Sequence, residues 1–278
     1  MTREPQPATP RLDGPREPHV GHVEMVMGTA VTFDVRLEYE SARSRARATR
    51  AIDECVTWLH WVDETFTTYD EGSFVSRLGR GELDVDQCPS DVARVVDACR
   101  AFRDQTSGWF DPWAGPAGGF DPSGLVKGWA TQGASERLSD AGFDRHCVNA
   151  GGDVVARGAP AGKDGWGVGV AHPLVAGTLC AVLNVRDEAV ASSGSAERGL
   201  HVWRPIDHEP ARDLASVTVV HVDLTSADVF ATAAFAMGEL APAWLESQVL
   251  NAYAVDAGGH EWCTPGFARR RTWPDRDE

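Results

Sequence analysis

The chain has 278 residues, with 26 Lys and Arg against 41 Asp and Glu, and a formal net charge of −15. Hydrophobic residues make up 42% and charged residues 24%, ordinary usage for a chain that buries one large core or two small ones. The acid excess argues against nucleic acid, whose binding rests on Lys and Arg neutralising phosphates, and no stretch reaches the ~20 apolar residues of a membrane span.

Residues 1–20 are rich in Pro, Arg and Glu and have no apolar core, so a disordered tail is expected, with no signal peptide and no lipid-attachment cysteine near it. A cytoplasmic location follows as an expectation. The rough alternation over 22–38 predicts a strand or hairpin. From Ser41 to Thr67 the residues Ala51, Cys55, Trp58, Leu59 and Val62 recur at helical spacing. A second helix is expected over 90–105 with Ser90 as its N-cap. A Gly- and Pro-rich passage, 108–124, leads to a third helix over 123–138. Strands are then expected over 147–156, 166–171, 179–185, 189–192 and 217–222. A helix over 227–238, a short one over 244–249 and a last strand over 251–255 follow, and 269–278 reads as a charged tail. Helices and strands mix without regular β-α-β alternation, which favours an α+β (mixed α/β) fold with helices flanking mixed sheets. The six cysteines have no C-x-x-C pairing and read as reduced core thiols.

Generic catalytic motifs are absent. There is no phosphate loop, no dinucleotide fingerprint, no G-x-S-x-G elbow and no H-E-x-x-H. Chemistry must come from less generic clusters. In Asp121-Pro122-Ser123-Gly124-Leu125-Val126-Lys127-Gly128, Ser123 can cap a helix whose free N–H groups favour phosphate, with Lys127 one turn on; a capped surface helix with a solvated Lys would look the same. In Thr225-Ser226-Ala227-Asp228-Val229-Phe230-Ala231-Thr232, Asp228 and Thr232 share one helical face, and a carboxylate with a hydroxyl suits Mg²⁺; capping by Asp228 and packing by Thr232 is the plainer alternative. Gly151-Gly152-Asp153 permits a tight bend or a close ligand approach. Trp109-Phe110-Asp111-Pro112 offers aromatic faces for a planar ring or simply anchors a loop. His201 follows Ser193-Gly194-Ser195 and is either structural or a proton acceptor.

Together and in this order these pieces resemble the ApbE family of FAD:protein FMN transferases. The fragments are Met27-Gly28-Thr29, Thr68-Tyr69 with Ser76-Arg77-Leu78, Phe110-Asp111-Pro112, the run Asp121 to Gly128, Gly151-Gly152-Asp153, Ser193-Gly194 with His201 and Pro205, and Ala227-Asp228 with Thr232 and Gly238. The resemblance implies one family domain over 21–268. It implies FAD as substrate, touched by Met27, Tyr69, Trp109, Phe110, Asp111, Asp121 and Lys127. It implies Mg²⁺ on the Gly124 carbonyl, Asp228 and Thr232, and His201 and Lys127 as catalytic groups. The FMN moiety would pass to a Thr or Ser hydroxyl of an acceptor flavoprotein, with release of AMP. The alternatives are an FAD pyrophosphatase giving FMN and AMP, and a flavin-binding protein without catalysis. Nine residues separate Asp111 from Asp121, fewer than is usual in the family, and Ala196 stands where an aromatic is common.

Overall fold

The computed structural model describes residues 17–115, 119–194 and 202–272. Strands β1 (His19–Val26) and β2 (Thr29–Arg36) form an antiparallel hairpin over the region whose alternation predicts one. Met27 and Gly28 make its two-residue turn with φ of 54° and 70°, the left-handed pair that matches the twist of the strands. Helix α1 (Ala42–Phe66) starts at Ser41, whose hydroxyl accepts the Ser44 N–H at 2.9 Å. It buries Ala48, Ala51, Ile52, Cys55, Leu59 and Val62.

Next come the short α2 (Phe74–Gly79), which sequence periodicity does not reveal, α3 (Ser90–Gln105) and α4 (Ser123–Asp140). The two serines expected as caps lie inside their helices. Pro89 and Pro122 hold the N-cap positions, and neither has a side-chain acceptor. A proline lacks the N–H that a helix start would leave unsatisfied, so it is tolerated there although it caps nothing. The run predicted as one strand over 147–156 is a hairpin, β3 (His146–Ala150) and β4 (Asp153–Arg157), bent at Gly151 and Gly152 with φ of 57° and 95°. Then follow β5 (Trp166–Ala171), β6 (Leu179–Val185), β7 (Glu188–Gly194), β8 (Leu214–His221), α5 (Leu224–Met237), α6 (Ala241–Ser247), β9 (Asn251–Asp256), β10 (Glu261–Cys263), α7 (Pro265–Ala268) and β11 (Arg271–Thr272).

The large sheet has eight strands in the order β1-β2-β3-β4-β7-β8-β9-β10, and the small one has three in the order β11-β6-β5. All pairings are antiparallel. One face of the large sheet packs on α1, α4 and α5 through Val31, Phe33, Val148, Val155, Ala191 and Val219. The other packs on the small sheet through Val154, Val190, Val220, Tyr253 and Val255 against Trp166, Val168, Val170, Leu183 and Val185. Alternation in the strands feeds both layers, and the α+β class expected from the sequence is the one observed.

Residues 17–20 and 269–272, expected as parts of the two tails, belong to ordered structure. Glu17 pairs with Arg145, and its Oε2 accepts the Ala161 N–H at 2.8 Å. Arg271 and Thr272 pair with Leu183 and Val182 of β6. Charge at a chain end does not prevent strand addition when an edge is open. All six cysteines are free, and burial pushes the thiols of Cys55 and Cys147 up to about 12. No helix among the described residues is long and apolar enough to cross a membrane.

Candidate functional site

Helices α4 and α5 pack closely against each other, and two glycines one turn apart permit it. A methyl group on Gly128 would lie 2.8 Å from both Asp228 Cβ and the Leu224 carbonyl oxygen, well inside the contact distance of packed carbons. On Gly124 it would touch Thr232 Cγ2 and Phe110 Cε2 at 3.4 Å. This approach lets the Gly128 N–H donate to Asp228 Oδ2 at 2.9 Å. In a regular α-helix that N–H serves the carbonyl four residues earlier, which here is Gly124. The carboxylate therefore competes for the donor and leaves the Gly124 oxygen with acceptor capacity.

Asp228 is 3% exposed. It does not cap its helix, because Asp223 does so by accepting the Ser226 N–H at 2.7 Å. Thr232 lies one turn further along α5 and shares a hydrogen bond with Ser193 Oγ of β7 at 3.1 Å. The three expected metal ligands thus converge from two helices. A carbonyl, a carboxylate and a hydroxyl are hard oxygen donors that fit Mg²⁺. Among the described residues no three His, Cys, Asp or Glu side chains gather as a metal cage. With a single carboxylate, this set would leave positions for a bound anion and water.

These residues line a cavity of about 570 Å³, a size typical of small-molecule sites. Trp109, Phe110, Asp111, Asp121, Gly124, Lys127, Asp228 and Thr232 all border it. Phe110 is buried, and its N–H donates to Thr106 Oγ1 at 3.0 Å. Asp111 accepts Arg103 Nε–H and the Trp113 N–H, both at 2.9 Å, which fixes the loop before α4.

The start of α4 differs from the expected free anion site. Asp121 Oδ1 accepts the Ser123 N–H at 3.0 Å, and the Leu125 and Val126 N–H groups both turn back to the Pro122 carbonyl. Those donors are already occupied within the protein. Lys127 also has an internal partner, with its Nζ 2.7 Å from Asp153 Oδ2. Asp153 is buried, and its Oδ1 accepts the Ser192 N–H at 3.0 Å.

Two expected flavin contacts stand apart from the cavity lining. Met27 sits in the β1–β2 turn with its N–H donating to Asp63 Oδ2 at 3.0 Å. Tyr69 is 98% exposed on the loop after α1. His201 falls in 195–201, outside the described residues.

The fold adds lining that sequence reasoning missed. The β5–β6 hairpin supplies 169–173 and 176–179, with His172 among them, and β8 supplies Ser216 and Thr218. Trp203 joins from the segment before β8. The one signal was in β5, where Trp166, Val168 and Val170 are buried and Gly167, Gly169 and Ala171 face outward. Small residues on the outward side leave room for a ligand.

The family model for ApbE matches residues 27–120 and 116–254. The chain belongs to the ApbE family. The matched segments contain every cavity residue named above. No curated protein matches the chain significantly. Among solved structures, the ApbE protein of Thermotoga maritima is 21% identical, with a TM-score of 0.77 over 92% of this chain and 100% of that one. The flavin transferase ApbE from Vibrio cholerae is 18% identical, with a TM-score of 0.76 over 91% and 99%. The apo form of Pseudomonas stutzeri flavinyl transferase ApbE is 19% identical, with a TM-score of 0.75 over 94% and 100%. At these identities the likeness establishes the fold.

Proposed function

We propose that the chain is an FAD:protein FMN transferase, which moves the FMN moiety of FAD onto a Thr or Ser hydroxyl of an acceptor flavoprotein and releases AMP. The observation that carries this reading is the meeting of Asp228, Thr232 and the Gly124 backbone at the wall of a cavity that also presents Trp109 and Phe110. An aromatic surface suits a planar ring, and hard oxygens beside it suit the metal of a diphosphate. Charge supports the same reading. The described lining carries Asp111, Asp121 and Asp228 against Lys127, an acidic balance that a divalent cation would offset.

When bound to Gly124, Asp228 and Thr232, Mg²⁺ would neutralise charge on the pyrophosphate as AMP leaves. In the transfer, the acceptor oxygen bonds to the FMN phosphorus. The bond from that phosphorus to the bridging oxygen breaks, and the pair of electrons leaves with AMP. The hydroxyl proton goes to a base, a role we assign to His201 by its place in the family motif. Lys127 supplies positive charge at the cavity wall, and Trp109 and Phe110 orient the ring system. We place the reaction in the cytoplasm, a reading that the six free thiols favour.

The test is to incubate the protein with FAD, Mg²⁺ and candidate acceptors, then to weigh the products. An acceptor heavier by one FMN, with one AMP released per event, is expected. Free FMN and AMP with an unmodified acceptor would make the chain a pyrophosphatase, and intact FAD throughout would leave a binding protein.

A further inference from the structure

We infer that Asp153 is a positioning residue, which holds the Lys127 ammonium at the cavity wall so that it meets the phosphate oxygens of the ligand. The inference rests on the proposed function for the identity of that ligand, and extends it to a residue outside the cavity lining.

Lys127 is the fifth residue of α4. Near a helix N-terminus the macrodipole disfavours a cation, so local structure does not hold the ammonium in place. The carboxylate that does so comes from elsewhere in the fold. Asp153 opens β4 directly after the Gly151–Gly152 bend, and those two glycines line the cavity. Its Oδ2 lies 2.7 Å from Lys127 Nζ. The Ser192 N–H of β7 donates to its Oδ1 at 3.0 Å, so the carboxylate cannot rotate without losing a backbone bond. The Asp153 side chain is 1% exposed and that of Lys127 is 18% exposed. The carboxylate is sealed, while the ammonium keeps a path to the cavity.

A buried ion pair is a poor way to join a helix to a sheet. Desolvation offsets most of its attraction, and an apolar pair of similar volume does as well or better. What the pair provides and an apolar pair does not is a charge fixed in direction. An ammonium carries three donors, and the Asp153 carboxylate approaches it from one side at 2.7 Å. The geometry is therefore that of an anion contact fixed in advance, whose ordering cost is met on folding rather than on binding.

The experiment measures FAD affinity by quenching of flavin fluorescence, in chelator and without metal, so that turnover plays no part. Asp153→Asn keeps the shape and the acceptor for Ser192 but removes the charge. Lys127→Met keeps the stem and removes the ammonium. Each is expected to weaken FAD binding roughly 10-fold, the scale of one charge-assisted hydrogen bond. The double variant is expected to bind no more weakly than Lys127→Met alone, because Asp153 acts through Lys127. Affinity for riboflavin, which has no phosphate, is expected to stay unchanged in all three, a split that a merely structural role would not produce.

The inference is overturned if Asp153→Asn binds FAD like wild type, if the two losses multiply in the double variant, or if riboflavin affinity falls in step. Should Asp153→Asn melt below the assay temperature, Asp153→Glu carries the same expectation, since it keeps the charge but displaces the ammonium. Wild-type protein that takes up no FAD would overturn the proposed function and this role together. Wild-type protein that binds FAD but labels no acceptor would overturn the transfer reading and leave the positioning role standing on its binding data.

Discussion

The two faces of the eight-stranded sheet are built by different rules. The face under α1, α4 and α5 is crossed by polar ties. Ser135 Oγ meets His146 Nε2 at 2.7 Å, Lys127 meets Asp153 at 2.7 Å, and the Gly128 N–H reaches Asp228 at 2.9 Å. The face under β5, β6 and β11 is filled by Val, Leu and aromatic side chains, with Tyr253 stacked on Phe267 at 5.4 Å. Glycine and alanine let α4 and α5 come close enough for backbone and carboxylate to meet, so the helix face can carry ligands. Two sheets pack about 10 Å apart through side chains, so the sheet face lends the cavity a wall and little chemistry. Stability on one face and chemistry on the other should therefore be separable.

The largest effect is expected on the sheet face. Phe267 is fully buried, and Phe267→Ala should lower unfolding free energy by about 3–5 kcal/mol. FAD turnover per folded molecule should stay near wild type. Urea unfolding paired with activity on the folded fraction checks this, and a collapse of turnover would join the two faces.

On the helix face the order reverses. Asp228→Ala should reduce FAD cleavage by roughly 10²-fold, the scale of losing a transition-state stabiliser. Thr232→Val should cost less, since water can replace a neutral hydroxyl. Chelation should stop wild-type turnover, and Mg²⁺ should restore it. Steady-state rates with an excess of chelator would expose the error if they match those with metal.

A smaller effect concerns His146, whose burial pulls its pKa from 6.5 down to about 4. The imidazole stays neutral in the fold while the unfolded chain protonates it below about pH 6.5. The unfolded state therefore binds more protons between pH 6.5 and 4, and stability falls as pH falls through that window. The slope from this group is at most ~1.4 kcal/mol per pH unit. Urea midpoints across the window should flatten in His146→Gln, and an unchanged slope would assign the acid sensitivity to other groups.

The smallest effect is expected at Tyr69. Its side chain is 98% exposed and lies outside the cavity lining, so Tyr69→Ala should leave both FAD affinity and stability within error of wild type. A marked loss of affinity would show that the ligand reaches past the cavity to the loop after α1.

Legibility in the sequence followed the range of the interaction. The long helices, the β1–β2 hairpin and most strands are visible because a 3.6- or 2-residue period is local. Asp228 and Thr232 are legible as a pair for the same reason, being one turn apart on α5. Ser90 and Ser123 each follow a proline that takes the N-cap position, and the bend that Gly151 and Gly152 permit divides a run read as one strand. Tyr69 and Met27 rest on the family pattern alone, and both lie outside the cavity lining.

By itself, the sequence determined the fold class, the main elements and the ordered set of fragments that mark the family, because each depends on residues close together in the chain. Only the tertiary structure decided which of those fragments share a wall. It set Gly128 of α4 against Asp228 of α5, 100 residues apart, and paired Lys127 with Asp153. It also folded the β5–β6 hairpin over the cavity. Helix separation and the partner of a buried charge are settled by packing between distant segments, and no local period encodes them.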